Sequence, residues 1–110
     1  MALPKQHRIR RTKDFEAIFK KGRSSNGTFL FIKSVSASSG VSRFGFVVSS
    51  RVARTAVYRN RVRRALSAAV EGLLNRMSPA KDIVVVITKK AEIEALRTDL
   101  MSTLNKAHIA

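Results

Sequence analysis

The chain has 110 residues, of which 22 are lysine or arginine and 7 are acidic, giving a formal net charge of +15 with no cysteine. At this length one compact domain with a buried core is the default, and a 45% apolar fraction argues against wholesale disorder. The lack of cysteine excludes disulfides and thiolate metal sites and fits a reducing cytoplasm, while the longest apolar run, Ile83 to Ile87, is too short to span a bilayer.

In chain order, residues 1–11 (MALPKQHRIRR) read as an irregular basic arm without the apolar stretch of a secretory signal. Thr12 then caps a short helix with Asp14 and Glu16 in its first turn, Lys20 and Lys21 in its last, and Gly22 as its stop. Phe15, Ile18 and Phe19 share one face of it. Gly22 to Thr28 reads as a polar turn, and Phe29 to Val35 as a strand. After the loop at 36–42, Arg43 to Ser49 reads as a second strand antiparallel to the first, with Gly45 marking a bulge or a close backbone approach. A basic connection at 51–58 leads to a long helix from about Arg59 to Met77, ended by Ser78-Pro79. Its apolar stripe is Val62, Leu66, Ala69, Val70, Leu73, Leu74 and Met77. The run IVVVI within Asp82 to Thr88 predicts a central strand covered on both faces. A last helix, about Ala91 to Lys106, buries Ile93, Leu96, Leu100 and Leu104. The order α-β-β-α-β-α predicts a single α+β domain, a sheet with helices packed on it.

The charge is unevenly placed. No acidic residue lies between Glu16 and Glu71, an interval that holds Lys20, Lys21, Arg23, Lys33, Arg43, Arg51, Arg54, Arg59, Arg61, Arg63 and Arg64. Such self-repulsion destabilises a compact state unless a polyanion neutralises it, with nucleic acid the first candidate and an anionic membrane surface the second. Arginine outnumbers lysine 13 to 9, which favours planar recognition of phosphates and base edges.

The long helix concentrates this charge. At about 100° per residue, Asn60, Arg61 and Arg64 fall opposite the apolar stripe, Arg63 lies on the flank, and Arg59 sits near the stripe and can reach past the helix end. Asn60 can donate and accept at a base edge or ribose hydroxyl. An ordinary solvated helix alternates acids with bases to gain i, i+4 pairs; this one has no acid until Glu71 and puts cations at the end the helix dipole disfavours. Both a partnerless basic face and a partner-binding face fit the pattern, and the second explains the sacrificed local stability. Phe15 and Phe19 fit ordinary core packing, or a ring at the sheet edge that stacks on an unpaired base.

Enzymatic signals are absent. His7 and His108 lie in the two tails, so a histidine metal site is not expected. Asp14 with Glu16, and Glu92 with Glu94, are two apart and point to different helix faces, which suits helix N-termini rather than paired-carboxylate catalysis. No phosphate-binding loop, dinucleotide fingerprint or nucleophile elbow occurs.

With Arg59-Asn60-Arg61-Val62-Arg63-Arg64 as its signature, the chain resembles the protein subunit of bacterial ribonuclease P. RIRRTKDFEAIFKKG resembles that family's N-terminal arm and first helix, RFGFVVSSRVARTAVYRNRVRR its second strand, connection and motif, and KDIVVVITKK its last strand. The resemblance implies an α/β sandwich with a left-handed strand–helix–strand crossover, against the general right-handed rule. It implies a non-catalytic cytoplasmic protein that assists a catalytic RNA; for the free protein a monomer is favoured over an oligomer. That RNA, which mainly holds the Mg2+, removes the 5′ leader of precursor tRNA. Arg59, Asn60, Arg61, Arg63 and Arg64 would contact the catalytic RNA. Phe15, with Phe19 as the weaker candidate, would line a leader cleft between the first helix and the sheet. Arg8, Arg10, Arg11, Arg51 and Arg54 would supply further phosphate contacts. Ser67 and Ala68 depart from the family pattern, which continues there to an arginine and a glutamate. Charge and fold class alone also admit a stand-alone RNA-binding or ribosome-associated protein, and charge alone a membrane-surface or DNA-packaging protein.

Overall fold

The computed structural model describes residues 3–37, 40–74, 76 and 79–107. It contains three α-helices, α1 (Thr12–Lys21), α2 (Ala56–Glu71) and α3 (Ile93–Lys106), and four strands, β1 (Arg23–Asn26), β2 (Leu30–Ser36), β3 (Arg43–Val48) and β4 (Lys81–Ile87). The strands form one mixed sheet in the order β1-β2-β4-β3. β4 is antiparallel to β2 and parallel to β3. The second strand expected from sequence therefore does not pair with the first. β3 and β2 run in opposite directions, but the more apolar β4 takes the place between them.

Alternation along the strands sorts the side chains into two layers. Ile83, Val85 and Ile87 of β4, with Leu30, Ile32, Phe44 and Val48, form the main core against α2 and α3. Those helices contribute Val62, Leu66 and Val70, and Leu96, Leu100 and Leu104, all fully buried. Val84 points to the opposite face, where it packs with Ile18 of α1 and Ile9 of the N-terminal segment. β4 is thus paired on both edges and covered on both faces, as its unbroken apolar run requires.

Local chemistry moves several boundaries. Thr12 is the first helical residue rather than the cap; Arg11 is the N-cap, its carbonyl accepting from Asp14 and Phe15 N–H at 3.0 and 3.2 Å. Gly22 stops α1 in an extended conformation, its N–H on the Ile18 carbonyl at 2.7 Å. A Cβ there would lie 2.5 Å from that oxygen and 3.2 Å from Lys33 Cβ, so a close approach requires the glycine. α2 starts a turn before Arg59 because Thr55 Oγ1 accepts the Tyr58 N–H at 3.2 Å. It ends at Glu71; Leu73 and Leu74 continue in tighter turns, and Met77 and Ser78 lie outside the described residues.

The stretch expected to be a polar turn contains β1. Its sequence, RSSN, carries no apolar alternation, and its stability comes from other elements. It pairs with β2, and Lys106 of α3 donates to the Asn26 carbonyl at 3.0 Å. Asp99 of α3 accepts the Thr28 and Phe29 N–H groups at 2.9 and 2.8 Å, which fixes the turn into β2. The N-terminal segment is likewise pinned: Leu3 and Ile9 are buried, and His7 Nδ1 donates to the Ser42 carbonyl at 2.7 Å. His108 lies outside the described residues. Among the described residues, no helix is long and apolar enough to cross a membrane.

Asp99→Ala removes the acceptor of two backbone donors. It is expected to cost about 2–3 kcal/mol by urea unfolding, with faster amide exchange at Phe29 than elsewhere in β2. Uniform exchange along β2 would show that the turn is held by other means.

Candidate nucleic-acid interface

β3 is an edge strand, and the N-terminal segment covers that edge only partly. It pairs with β3 through one parallel bridge, Arg8 with Phe44, where the Ile9 N–H donates to the Phe44 carbonyl at 3.0 Å. Beyond Phe44 the edge has no strand partner among the described residues. A cavity of about 220 Å³ opens there, where α1 and α2 flank opposite faces of the sheet. Arg8, Ile9 and Arg10 line it from the N-terminal segment, Phe15 from α1, Phe44, Gly45 and Phe46 from β3, and Arg63 and Ser67 from α2.

Phe15 reaches this edge because residue 45 has no side chain. A Cβ on Gly45 would sit 2.7 Å from Phe15 Cε1 and Cζ. The strand register runs unbroken through Gly45, paired with Val84, so the glycine serves a close approach and not a bulge. Phe15 is half-buried, one side against Ile9, Ile18 and Val84 and the other on the cavity. Phe19, a turn later, is 37% exposed and does not line the cavity. Phe46 does; its ring stacks on Phe44 with centroids 6.1 Å apart.

The arginine motif divides by direction. Arg59 turns back beyond the helix start, and its Nη1 donates to the carbonyls of Ala53 and Arg54 at 2.7 and 3.1 Å. It thus fastens the basic connection to α2. Arg63 is half-buried on the cavity side, and its Nη1 donates to Asn60 Oδ1 at 3.3 Å, leaving the Asn60 amide donors outward. Arg61 lies on the other flank, in a hollow shared with Tyr58 and Lys90, whose ammonium sits 5.2 Å from the Tyr58 ring centroid. The Tyr58 hydroxyl donates to the Ala91 carbonyl, which ties that flank to the start of α3. Arg61 and Arg64 are exposed, as are Arg10, Arg11, Arg51 and Arg54, and none of these six side chains has a protein hydrogen bond or ion pair.

Four of the seven acids are engaged elsewhere, while Glu92 shares the hollow of Arg61 without pairing with it. Arg43 binds Asp82 bidentately, Nε to Oδ1 at 3.0 Å and Nη2 to Oδ2 at 2.7 Å, and reaches Asp14 Oδ2 at 3.4 Å. The Asp82 hydrogen bond raises the Arg43 pKa above the ordinary guanidinium value, outweighing the opposing effect of burial. This bridge ties α1 to the sheet and so helps place Phe15. Glu94 pairs with Arg97 at 2.7 Å, and Asp99 holds the β1–β2 turn. Among the described residues, no group of three or more His, Asp or Glu could hold a metal ion.

The ring, the cations and the free edge make a surface suited to an extended polyanion with unpaired bases. Known proteins carry the same arrangement of elements. The family profile described as Ribonuclease P matches residues 3–108. The chain belongs to the ribonuclease P protein family. A ribonuclease P protein component from Pseudanabaena sp. (strain PCC 6903) is 37% identical over 111 residues, covering 97% of this chain and 96% of the relative. Another, from Syntrophomonas wolfei subsp. wolfei, is 32% identical and covers 96% of this chain and 90% of the relative. A solved structure, a Staphylococcus aureus RNase P protein mutant with defective mRNA degradation activity, has a TM-score of 0.86 at 26% identity, covering 96% of this chain and 92% of that one. The chain is therefore a protein component of ribonuclease P, a tRNA-processing ribonucleoprotein, and an RNA subunit is its implied partner.

Within that family frame, Phe46 and Ser67 are among the cavity residues that escape a reading of the sequence. Phe46 follows Phe44 by two, which predicts a shared face, but only the sheet order puts that face at an open edge. Ser67 follows Arg63 by four and flanks the apolar stripe, which is the signal for a polar group at the same cavity.

Gly45→Ala drives a methyl into the Phe15 ring. It is expected to cost about 1–3 kcal/mol and to displace the ring. Aromatic NMR shifts of Phe15 report the displacement; unchanged shifts would mean that the strand moves instead.

Proposed function

We propose that the chain assists a catalytic RNA in removing the 5′ leader of precursor tRNA, contributing binding and charge neutralisation while the RNA performs the chemistry. The observation that carries this reading is the shared cavity at the β3 edge, where the Phe15 ring, the Arg63 cation and an unpaired backbone edge meet. A single strand can stack a base on Phe15 while its phosphates run past Arg63, Arg10 and Arg8. The outward cations Arg61 and Arg64, with Arg51 and Arg54 beside them, form a separate surface for the catalytic RNA. Arg59 supports that surface by holding the connection that carries Arg54. Two nucleic-acid surfaces on one small protein let it position leader and catalytic RNA together. Mg2+ belongs to the RNA partner: Asp14 and Asp82 are both committed to Arg43. The protein works as a cytoplasmic monomer. A stand-alone RNA-binding role is the competing reading.

Reconstituted cleavage decides between them. The protein is expected to lower the salt or magnesium requirement for leader removal by a cognate catalytic RNA; no change in cleavage and no specific binding to that RNA would sink the proposal. Arg61→Ala is expected to weaken binding to the catalytic RNA and flatten the log–log salt slope by about 0.7–0.9. Phe15→Leu is expected to impair leader-bearing substrate more than mature tRNA. Equal impairment would make the ring a packing residue only.

A further inference from the structure

Tyr58, in the first turn of α2, contacts the start of α3 in a way that helix packing does not account for. Its ring is half-buried against the main core, and its hydroxyl both donates to the Ala91 carbonyl and accepts the Ala91 N–H at 3.3 Å. The two helices are already held by their buried stripes, and Thr55 already caps α2. What the hydroxyl fixes is the short connection from β4 to α3. At one end of it the Thr88 and Lys89 N–H groups donate to the Phe29 carbonyl at 2.9 and 3.1 Å, and at the other Tyr58 clamps Ala91. Lys90 lies between these fixed points, with its ammonium 5.2 Å from the Tyr58 ring centroid. Arg61, one turn along α2 from Tyr58, lines the same hollow. Two exposed cations from separate elements thus share one hollow, and neither has an ion pair among the described residues. Each would escape the repulsion by swinging into solvent, so their convergence needs a cause.

We propose that Tyr58 is a positioning residue for RNA binding. Its hydroxyl fixes the backbone around Lys90, and its ring face attracts the ammonium, so that Lys90 is held beside Arg61. A carboxylate in that place would order the lysine by cancelling its charge; an aromatic face orders it and leaves the charge for a phosphate. Ordering a long side chain in advance also lowers the entropy lost on binding. The α2 surface thereby continues onto the connection into α3, and a strand of RNA that reaches Arg61 meets a second cation already in place. This inference rests on the reading of Arg61 as a contact to the catalytic RNA and assigns the residue that arranges the charge around it.

Binding of the full-length protein to a cognate catalytic RNA is measured as a function of salt. Lys90→Ala is expected to lower the log–log slope by about 0.7–0.9, the value of one phosphate contact. Tyr58→Leu is expected to lower it equally, and Lys90→Ala added to Tyr58→Leu to lower it no further. Arg64→Ala is expected to act alike in the wild type and in Tyr58→Leu, which shows that the leucine variant is folded. Tyr58→Phe keeps the ring and loses the clamp; the wild-type slope with about threefold weaker affinity is expected. Without RNA, the Lys90 Hε resonances of the wild type are expected upfield of their random-coil positions, through the ring current of Tyr58. Random-coil positions there, a Lys90 contribution of equal size with and without the Tyr58 ring, or full affinity in Tyr58→Phe overturns the assignment. Such a result leaves the functional reading standing, since that reading is judged by assisted leader removal and by Arg61→Ala.

Discussion

The strand β4 must be covered on both faces and paired on both edges, and the rest of the molecule is arranged around that requirement. Four of its side chains, Ile83, Val84, Val85 and Ile87, are buried across both faces, so one helical layer is not enough. α2 and α3 cover one side. On the other, among the described residues, the short α1 and the N-terminal segment bring only Ile18, Ile9 and Phe15. With β4 in the centre, β3 becomes an edge, and the small covering layer leaves part of that edge open. The functional surface is this incompletely covered margin of a well-covered core.

The arginine helix shows how an electrostatic cost is contained. Cations crowd the first turns of α2, and its first turn has no acid to offset them. Thr55 satisfies one helix-start donor, and Arg59 spends its charge on two backbone carbonyls of the preceding connection. Val62, Leu66 and Val70 then bind the helix to the core with nothing exposed. The stripe holds the helix in place, so the outward arginines need not contribute to its stability. The three aspartates, meanwhile, lock structure: Asp82 and Asp14 on Arg43, Asp99 on the turn into β2.

What could be read from sequence follows from the range of the interactions involved. Helix faces and the apolar β4 run are local patterns, and the stripe Val62, Leu66, Val70 and the buried Leu96, Leu100 and Leu104 appear where periodicity puts them. Gly45 could be read as a close approach, though not that Phe15 is what approaches. β1 was illegible because RSSN carries no pattern of its own; its stability is lent by β2 and α3. The place of β3 beside β4 was illegible for the same reason, since pairing depends on which strand most needs two neighbours. The arginine motif was visible as charge, but its division into the inward Arg59, the cavity-facing Arg63 and the outward Arg61 and Arg64 depends on where the cavity lies.

The two ends of the sheet carry a last consequence. A sheet with free edges invites copies of itself to add on, and a chain that waits for an RNA partner is exposed to that hazard. Here one edge strand, β1, is short, hydrophilic and begins with Arg23; the other, β3, is obstructed at Phe44 by the N-terminal segment and flanked by Arg10 and Arg63. Approaching copies would meet like charge before they met a usable backbone ladder. The cations that attract nucleic acid therefore also act as gatekeepers against aggregation, keeping the open margin available to a polyanion and closed to a second chain.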